Sequence, residues 1–218
     1  MKDCIIFLRG VYRTRDLDHY RRLCRGKFTI AANGGYAFFA KAGITPDLII
    51  GDLDSLRGKG APKPKEIQVV VHPAEKDATD AEIALDYCLN QRVKKIDIVQ
   101  PSTGEPDHFA GNLMLLTRSV QSRRSRYRPS VRLLSRSHEV FLLKDQTRVF
   151  RDSIGDLISV LPVSGNIRLS CSGMEYTADC RTIRRGRTIG LRNRICARLA
   201  RIEVEGQALV FHGSANVR

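Results

Sequence analysis

The order of apolar and polar positions separates the chain into two halves of different character. In the first half, short apolar runs alternate with amphipathic segments at helical spacing. Runs that are apolar throughout are typical of strands buried on both faces, so this alternation predicts a parallel sheet covered by helices. The predicted strands are Cys4–Leu8, Phe28–Ala32, Leu48–Ile50, Ile67–Val71 and Ile96–Val99. The predicted helices are Asp16–Cys24, Tyr36–Ala42, one that begins near Thr79, and Phe109–Val120.

The second half contains short strand-like runs separated by turn residues, which predicts an all-β sandwich or barrel. The Ser- and Arg-rich segment 121–130 comes before it and is typical of a domain boundary. We therefore expect an N-terminal parallel-sheet α/β domain over residues 1–125 and a C-terminal all-β sandwich over residues 131–218. The predicted strands of the second domain are Val131–Leu134, Glu139–Leu143, Thr147–Phe150, Leu157–Pro162, Asn166–Ser170, Arg198–Val204 and Ala208–His212.

Carboxylates follow the predicted strands at three places. Asp52 and Asp54 come directly after the third apolar run, Asp77 and Asp80 stand where the next helix begins, and Asp107 follows the fifth strand. Each carboxylate alone is explained as well by a solvated turn or by capping of a helix. Because the carboxyl ends of parallel strands meet at one edge of a sheet, we expect all of them at the same edge. This convergence favours a Mg²⁺ site that carries a substrate phosphate.

The turns at these strand ends carry further candidate residues. Asn33, Gly34 and Gly35 form a turn whose glycines can bring backbone N–H groups close to a ligand, although such a turn is also common without one. Thr79 and Glu82 have the spacing of a capping box, which predicts a helix start near Thr79. The sequence has no Walker loop, so these turns would have to bind the phosphates.

The basic residues are unevenly distributed. The net charge is +14, and seven arginines lie between Arg118 and Arg136 and eight between Arg181 and Arg201, with no acid in either stretch. General attraction to anions accounts for such stretches. Nucleic-acid binding is less favoured, because no aromatic residues are interleaved with the arginines and no zinc or helix-turn-helix motif is present.

The cysteines and the apolar runs bear on the compartment. Six cysteines are scattered along the chain without a C-x-x-C pair, which favours reduced thiols in a cytoplasmic protein. The five histidines show no metal-ligand spacing. No apolar run is long enough to span a membrane, so we expect no membrane association of that kind.

In the order of its motifs, the chain resembles the thiamine pyrophosphokinase (thiamine diphosphokinase) family over nearly its whole length. The matching motifs in the first half are the Asn33–Gly35 turn, the P-D-L-I-I-G-D-L-D-S block at Pro46–Ser55, the D-A-T-D segment at Asp77–Asp80, and Asp107–His108 with Ala110–Leu116. The weaker matches in the second half are Ser159–Ser164, Ser172–Tyr176 and Gly190–Asn193.

The resemblance implies transfer of a diphosphoryl group from ATP to the hydroxyl of thiamine, with release of AMP and with Mg²⁺ as cofactor. It implies an ATP- and Mg²⁺-binding α/β domain, a β-sandwich that binds thiamine and forms the dimer, and a homodimer with thiamine between its subunits. No strong general base is evident in the sequence, and Asp80 or Asp107 could accept the hydroxyl proton. The catalytic residues would be Asp52, Asp54, Asp77, Asp80 and Asp107, the first four of which would hold the metal. The residues that bind the substrates would be Asn33, Gly34, Gly35, Lys76, Thr79 and His108, with Asn193 on the thiamine side.

Three residues depart from the pattern of the family. Asn33 stands where the family usually has Asp, Glu105 where it has Arg, and Arg192 where it has Ser. Glu105 and Arg192 leave open a diphosphokinase of the same fold that acts on another alcohol, such as a hydroxymethylpterin. The arginine-rich stretches leave open a nucleotide- or RNA-binding protein with weakened catalysis.

Overall fold

The computed structural model describes residues 3–51, 67–71, 77–102, 104–120 and 127–215. It divides into two compact units, the first ending at Arg136 and the second beginning at Ser137. In the residues described, no helix combines the length and the apolar character that crossing a membrane requires.

The first unit is built on a parallel sheet of six strands in the order β6-β5-β1-β2-β3-β4. Helices follow four of these strands, as expected from the alternation in the sequence. The strands are β1 (Cys4–Phe7), β2 (Phe28–Ala32), β3 (Leu48–Gly51), β4 (Gln68–Val71), β5 (Lys95–Val99) and β6 (Ser130–Leu134). The helices are α1 (Leu17–Cys24), α2 (Tyr36–Ala42), α3 (Asp80–Asn90) and α4 (Pro106–Leu115). Short 3₁₀ turns occupy Thr14–Asp16, Asn33–Gly35 and Leu116–Val120.

Both faces of this sheet are covered, which is why its strands are mainly apolar. Side chains alternate along β1, so Phe7 and Cys4 point to opposite faces. Phe7 stacks on Phe38 of α2 with 4.1 Å between ring centroids and meets Tyr20 of α1 edge to face. Cys4 contacts Cys88 of α3 on the other face. The central strand β1 is fully buried as a result.

The strand β6 was expected to open the second domain, but it belongs to the sheet of the first unit. Val131 pairs in parallel with Ile96 of β5, and Leu134 pairs with Val99. Segment 121–130 therefore comes before the last strand of the parallel sheet, although residues 121–126 lie outside the described residues. Its composition resembles a linker because it leads out of a helix into a strand, where polar residues are also usual.

The second unit is built from antiparallel strands around two long ones. The strand β12 pairs along its length with β7, while β9 pairs with its first part and β8 with its second part. Apolar residues of these four strands form one buried core, which agrees with the expected sandwich. The strands are β7 (His138–Arg151), β8 (Leu157–Pro162), β9 (Ile167–Ser172), β10 (Ala178–Ile183), β11 (Asn193–Arg194) and β12 (Leu199–Gly213).

Candidate functional site

The glycine turn after β2 lies directly on the end of β1. A Cβ atom at Gly35 would overlap the carbonyl oxygen of Phe7, so only glycine fits there. A Cβ at Gly34 would come within 2.9 Å of Cγ in the Arg9 side chain, which lies over the turn. The backbone of the turn therefore lies close to the carboxyl edge of the sheet.

Asn33 connects three elements at this edge. Its side-chain amide Nδ2 donates a hydrogen bond to Oδ2 of Asp80, the first residue of α3, at 3.0 Å. A Cβ at Gly51, the last residue of β3, would come within 2.9 Å of the Asn33 Cβ. Asn33 has a positive φ of 43°, a conformation that Asn adopts more readily than most residues. The ends of β2 and β3 and the start of α3 thus meet, as the parallel order of the strands predicts.

The helix α3 begins at the N-cap that the sequence predicts. Thr79 is the N-cap, and its side-chain oxygen accepts a hydrogen bond from the backbone N–H of Glu82 at 3.2 Å. Asp80 is half-buried and Asp77 is exposed. The helix dipole stabilises a carboxylate in the first turn of a helix. Asp80, which lies beside Asn33, is therefore in a favourable position.

Three of the residues proposed for this edge, Asp52, Asp54 and Lys76, lie outside the described residues. Their assignment to the metal and the phosphates stays a prediction. The described part of the Pro46–Ser55 block, Leu48–Gly51, forms β3, which pairs with both β2 and β4. The strand β3 therefore ends at the same edge of the sheet as the other parallel strands.

Asp107 and His108 lie in the first turn of α4, with Glu105 as the N-cap. The Asp107 carboxylate accepts a hydrogen bond from the backbone N–H of His108 at 2.8 Å, and Nε2 of His108 is 3.6 Å from a carboxylate oxygen of Glu105. All three side chains are exposed, and their ligand atoms lie within 4.8 Å of one another. Glu105 thus forms a local pair with His108, and the roles of Asp107 and His108 stay predictions.

Arg9 is a candidate that the sequence pattern did not single out. It follows β1 directly, at the same edge as the glycine turn, and its aliphatic stem packs over Gly34. Its neighbour Gly10 lies against Pro101, which follows β5. A lone arginine after a strand is a weak sequence signal for a binding residue. Only the position of β1 in the middle of the sheet identifies Arg9 as a candidate.

The second unit contains an apolar cavity of about 300 Å³. The buried residues that line it include Ile158, Leu169, Met174 and Ile202, and burial raises the pKa of the Cys171 thiol in its wall. Three of its apolar lining residues are exposed, namely Tyr176, Ile189 and Leu191, at 68%, 57% and 44%.

Asn193 lies in the wall of this cavity and orders its rim. Its side-chain amide donates to the backbone oxygen of Tyr176 at 2.6 Å and accepts from the Tyr176 N–H at 3.0 Å. The backbone N–H of Arg192 donates to the Ser159 hydroxyl at 3.0 Å, and the Arg192 side chain is exposed. Asn193 therefore positions Tyr176, and its role toward thiamine stays a prediction.

Comparison with known proteins bears on both units. Residues 21–127 match the family model described as thiamin pyrophosphokinase, catalytic domain, and this stretch holds Asn33 and Asp80. The thiamine pyrophosphokinase of Bacillus subtilis (strain 168) is 28% identical over 170 residues, which span 76% of this chain and 77% of that protein. Both comparisons thus show that the chain is similar to thiamine pyrophosphokinases. The resemblance based on the Pro46–Ser55 and Asp77–Asp80 motifs is thereby confirmed.

Solved structures of thiamine pyrophosphokinases share the fold over almost the whole chain. The enzyme from Geobacillus thermodenitrificans is 25% identical with a TM-score of 0.80, over 98% of this chain and 99% of that one. The Bacillus subtilis structure is 24% identical with a TM-score of 0.82, over 98% and 100% of the two chains. The yeast structure, at 12% identity, still has a TM-score of 0.78 over 97% and 86%. The predicted fold class, a parallel α/β part followed by a strand-rich part, is confirmed.

Proposed function

We propose that this protein transfers the diphosphoryl group of ATP to the hydroxyl of thiamine, giving thiamine diphosphate and AMP. The observation that carries the proposal is the catalytic-domain match over residues 21–127, which contains the strand-end turns where Asn33 and Asp80 meet. The name of the Bacillus subtilis relative, thiamine pyrophosphokinase, supports the same activity. No comparison favours a pterin alcohol or RNA as the substrate.

We propose Mg²⁺ as the cofactor, held by Asp52, Asp54, Asp77 and Asp80. The fit rests on the chemistry of this donor set, which is entirely carboxylate oxygen and suits a hard divalent cation. Asp77 and Asp80 are the described members, and the hydrogen bond from Asn33 fixes the direction of the Asp80 carboxylate. When bound, the ion would supply neutralisation of the charge on the phosphates.

The other residues at this edge bind and orient ATP in the proposed reaction. The Gly34–Gly35 turn has no side chain to obstruct a phosphate. Lys76 offsets phosphate charge, and Thr79 and His108 lie at helix starts where an anion is favoured. Asp80 or Asp107 accepts the proton of the thiamine hydroxyl as it attacks the β-phosphorus.

We propose that the second unit supplies the thiamine side and the contact between subunits of a homodimer. The exposed apolar residues around its cavity support this role, because exposed apolar surface of this kind is usual at interaction sites. Asn193 acts there by holding Tyr176. In domain terms, the ATP part corresponds to residues 1–125 and the thiamine and dimer part to residues 131–218, with β6 as the exception noted above. Light scattering on the purified protein tests the dimer.

We also propose a cytoplasmic location. All six cysteines are free thiols, three of them buried, as is usual for proteins of a reducing compartment.

The test is a coupled measurement of two products. The protein is incubated with ATP, Mg²⁺ and thiamine, and AMP and thiamine diphosphate are quantified together. We expect AMP to appear only with thiamine present and in equal amount to thiamine diphosphate. AMP formed with a hydroxymethylpterin instead would overturn the substrate, and absence of thiamine-dependent AMP would overturn the activity.

A pair of variants tests the metal assignment. Asp54→Asn should abolish turnover and leave the fold intact by circular dichroism. Asp18→Asn is the matched control, because Asp18 is an exposed carboxylate whose partner is Arg21 on the same helix. Turnover that survives in Asp54→Asn contradicts the assignment of Asp54 to the metal.

A further inference from the structure

The second unit has a groove of about 530 Å³ formed by β10 and the turn that follows it. We name it the arginine groove. Its lining residues are Arg181, Thr182, Ile183, Arg184, Arg187, Thr188 and Ile189. Except for Ile183, all of them are exposed. The polar groups of the lining are therefore three guanidiniums and two hydroxyls, without a carboxylate.

The turn that carries two of these arginines is fixed by backbone hydrogen bonds. The N–H of Arg187 donates to the Arg184 carbonyl at 3.1 Å, and the N–H of Arg185 donates to the side-chain oxygen of Asn166 at 3.1 Å. Gly186 has a φ of +82°, which lets the chain make this turn. The groove is thus formed before any ligand binds. Binding therefore costs little conformational entropy for ordering the backbone.

The far end of the groove is fixed in the same way. The N–H of Leu191 donates to the Thr188 carbonyl at 3.2 Å, and the N–H of Val160 on β8 donates to the Gly190 carbonyl at 2.8 Å. A Cβ at Gly190 would overlap the Val160 carbonyl, so this segment lies directly on the strand.

The charges of the groove are not neutralised by the described part of the chain. None of Arg181, Arg184 and Arg187 forms an ion pair with a described residue, and all three are exposed. Other exposed arginines of the same unit do form such pairs: Arg168 with Glu205, and Arg201 with Glu203 at 2.7 Å. Three unneutralised guanidiniums around one concave surface produce a positive potential that attracts anions.

We propose that the arginine groove binds the oligophosphate group of a small molecule. A guanidinium matches two phosphate oxygens with its planar pair of donors, and threonine hydroxyls donate to further oxygens. One phosphate occupies one arginine, whereas three linked phosphates can engage all three. The volume lies in the range of small-molecule sites. The site consists of second-unit residues alone, so it does not rest on the proposed kinase activity.

The ligand chemistry admits either a free oligophosphate or an ester of one. Arg181, Ile183 and Ile189 line both the groove and the apolar cavity, so the two spaces share a wall. An ester whose organic part enters the cavity would gain apolar contact that an inorganic anion lacks. Inorganic triphosphate and ATP therefore distinguish the two sources.

The test is calorimetric titration of the full chain with inorganic triphosphate and with ATP. EDTA removes divalent cations, and salt of about 0.15 M screens attraction beyond roughly 8 Å. The test variant is Arg184→Ala/Arg187→Ala. The matched control is Arg168→Ala/Arg201→Ala, which removes the same charge from arginines that already have carboxylate partners.

We expect the test variant to bind triphosphate at least about tenfold more weakly, since two charge-assisted contacts are lost, and the control to change less than about threefold. ATP should bind the wild type more tightly than triphosphate does if the ligand is an ester, and the test variant should weaken both. Arg184→Lys/Arg187→Lys keeps the charge without the planar donor pair, and it should fall between the wild type and the alanine variant.

If triphosphate binding is weakened equally in both alanine variants, the general positive charge of the protein accounts for the binding, and the proposal is overturned. Undiminished triphosphate binding in the test variant would also overturn it, as would an RNA oligonucleotide that binds through these arginines when triphosphate does not. Thiamine-dependent AMP formation at saturating substrate should be unchanged in the test variant. If the wild type forms no AMP, only the proposed function fails, because the triphosphate titration reads the groove directly.

Discussion

Asn33 and Asp80 are 47 residues apart in the sequence, and the Asn33 amide donates to the Asp80 carboxylate at 3.0 Å. One follows β2 and the other begins α3, so the contact fixes the direction of a carboxylate at the edge of the sheet. Asn33 achieves this with a backbone φ of 43°, which most residues adopt only at a cost. The backbone and the side chain of Asn33 therefore contribute separately.

Two substitutions separate these contributions. Asn33→Gly removes the hydrogen bond to Asp80 and keeps a backbone that tolerates positive φ. Asn33→Ala removes the bond and also strains the backbone, so we expect it to be about 1–2 kcal/mol less stable than Asn33→Gly in urea unfolding. Both should raise the Mg²⁺ concentration required for activity, because Asp80 is no longer oriented. Equal stability of the two variants would contradict the role of the backbone conformation.

The glycine turn offers a second matched pair. Gly35→Ala places a Cβ on the Phe7 carbonyl oxygen, which is backbone and cannot move aside, so we expect a loss of about 3 kcal/mol or more in the free energy of unfolding. Gly34→Ala meets the Arg9 side chain, whose Cγ and Cδ can move by a change of rotamer while its Cβ at 3.0 Å cannot, and should cost about 1–2 kcal/mol. Denaturant unfolding measures both. A Gly34→Ala variant as unstable as Gly35→Ala would contradict the geometry of the turn.

His212 predicts how the stability of the second unit depends on pH. Burial lowers its pKa, but hydrogen bonds with Glu139 and Asp156, the latter at 2.7 Å, outweigh burial and leave the pKa raised. The stabilisation is therefore fully present below the unfolded pKa of about 6.5 and is lost as pH rises through the folded value. We expect His212→Gln to remove this decline above about pH 6.5 when unfolding is followed across pH.

His19 is the control for that measurement, because its pKa is shifted the opposite way. Burial is the main cause, and the neighbouring arginines 136 and 22 also lower it. Its contribution is present above the unfolded pKa and is lost as pH falls through the lower folded value, so His19→Gln should change only the acid side of the profile. If His212→Gln also acts on the acid side alone, the assigned direction of the His212 pKa is wrong.

Local signals in the sequence were sufficient for most of the first unit. Helix α2 has the predicted bounds, because Gly43 ends it in a left-handed conformation with a φ of 64°. The strand β2 also has the predicted bounds. In α4 the helix begins three residues earlier than Phe109, since Pro106 is favourable in the first turn. It ends at Leu115 and continues as a 3₁₀ turn.

The second unit departs further from the prediction because pairing outweighs local signals there. Glu139–Leu143 and Thr147–Phe150 were predicted as separate strands but form the single strand β7, whose polar Lys144 pairs with Gln207. Arg198–Val204 and Ala208–His212 were also predicted as separate strands, yet both belong to β12, and Gly206 between them lies at a bulge. The strand β10 was missed because most of its residues are polar and exposed at the edge of the sheet.

The site shows the same division. That Asn33 and Asp80 lie at one edge follows from strand order and could be predicted, whereas their direct contact depends on loop geometry that no local pattern encodes. Glu105 stands where the family has Arg, and its contact with His108 in the same helical turn could not be predicted from the sequence.

Arg9 provides the last prediction. It is exposed after β1, over the glycine turn, in the place where a cation can reach a phosphate bound at that edge. One charge-assisted contact corresponds to about 1.5–3 kcal/mol, so we expect Arg9→Ala to raise the KM for ATP roughly tenfold or more with little change in the KM for thiamine. Arg9→Lys should retain part of the effect, since charge without the planar donor pair remains. Arg13→Ala, an exposed arginine beyond the strand end, is the control and should leave both KM values unchanged. An unchanged KM for ATP in Arg9→Ala would mean that Arg9 only covers the turn. The variant would then be less stable than the wild type in urea unfolding.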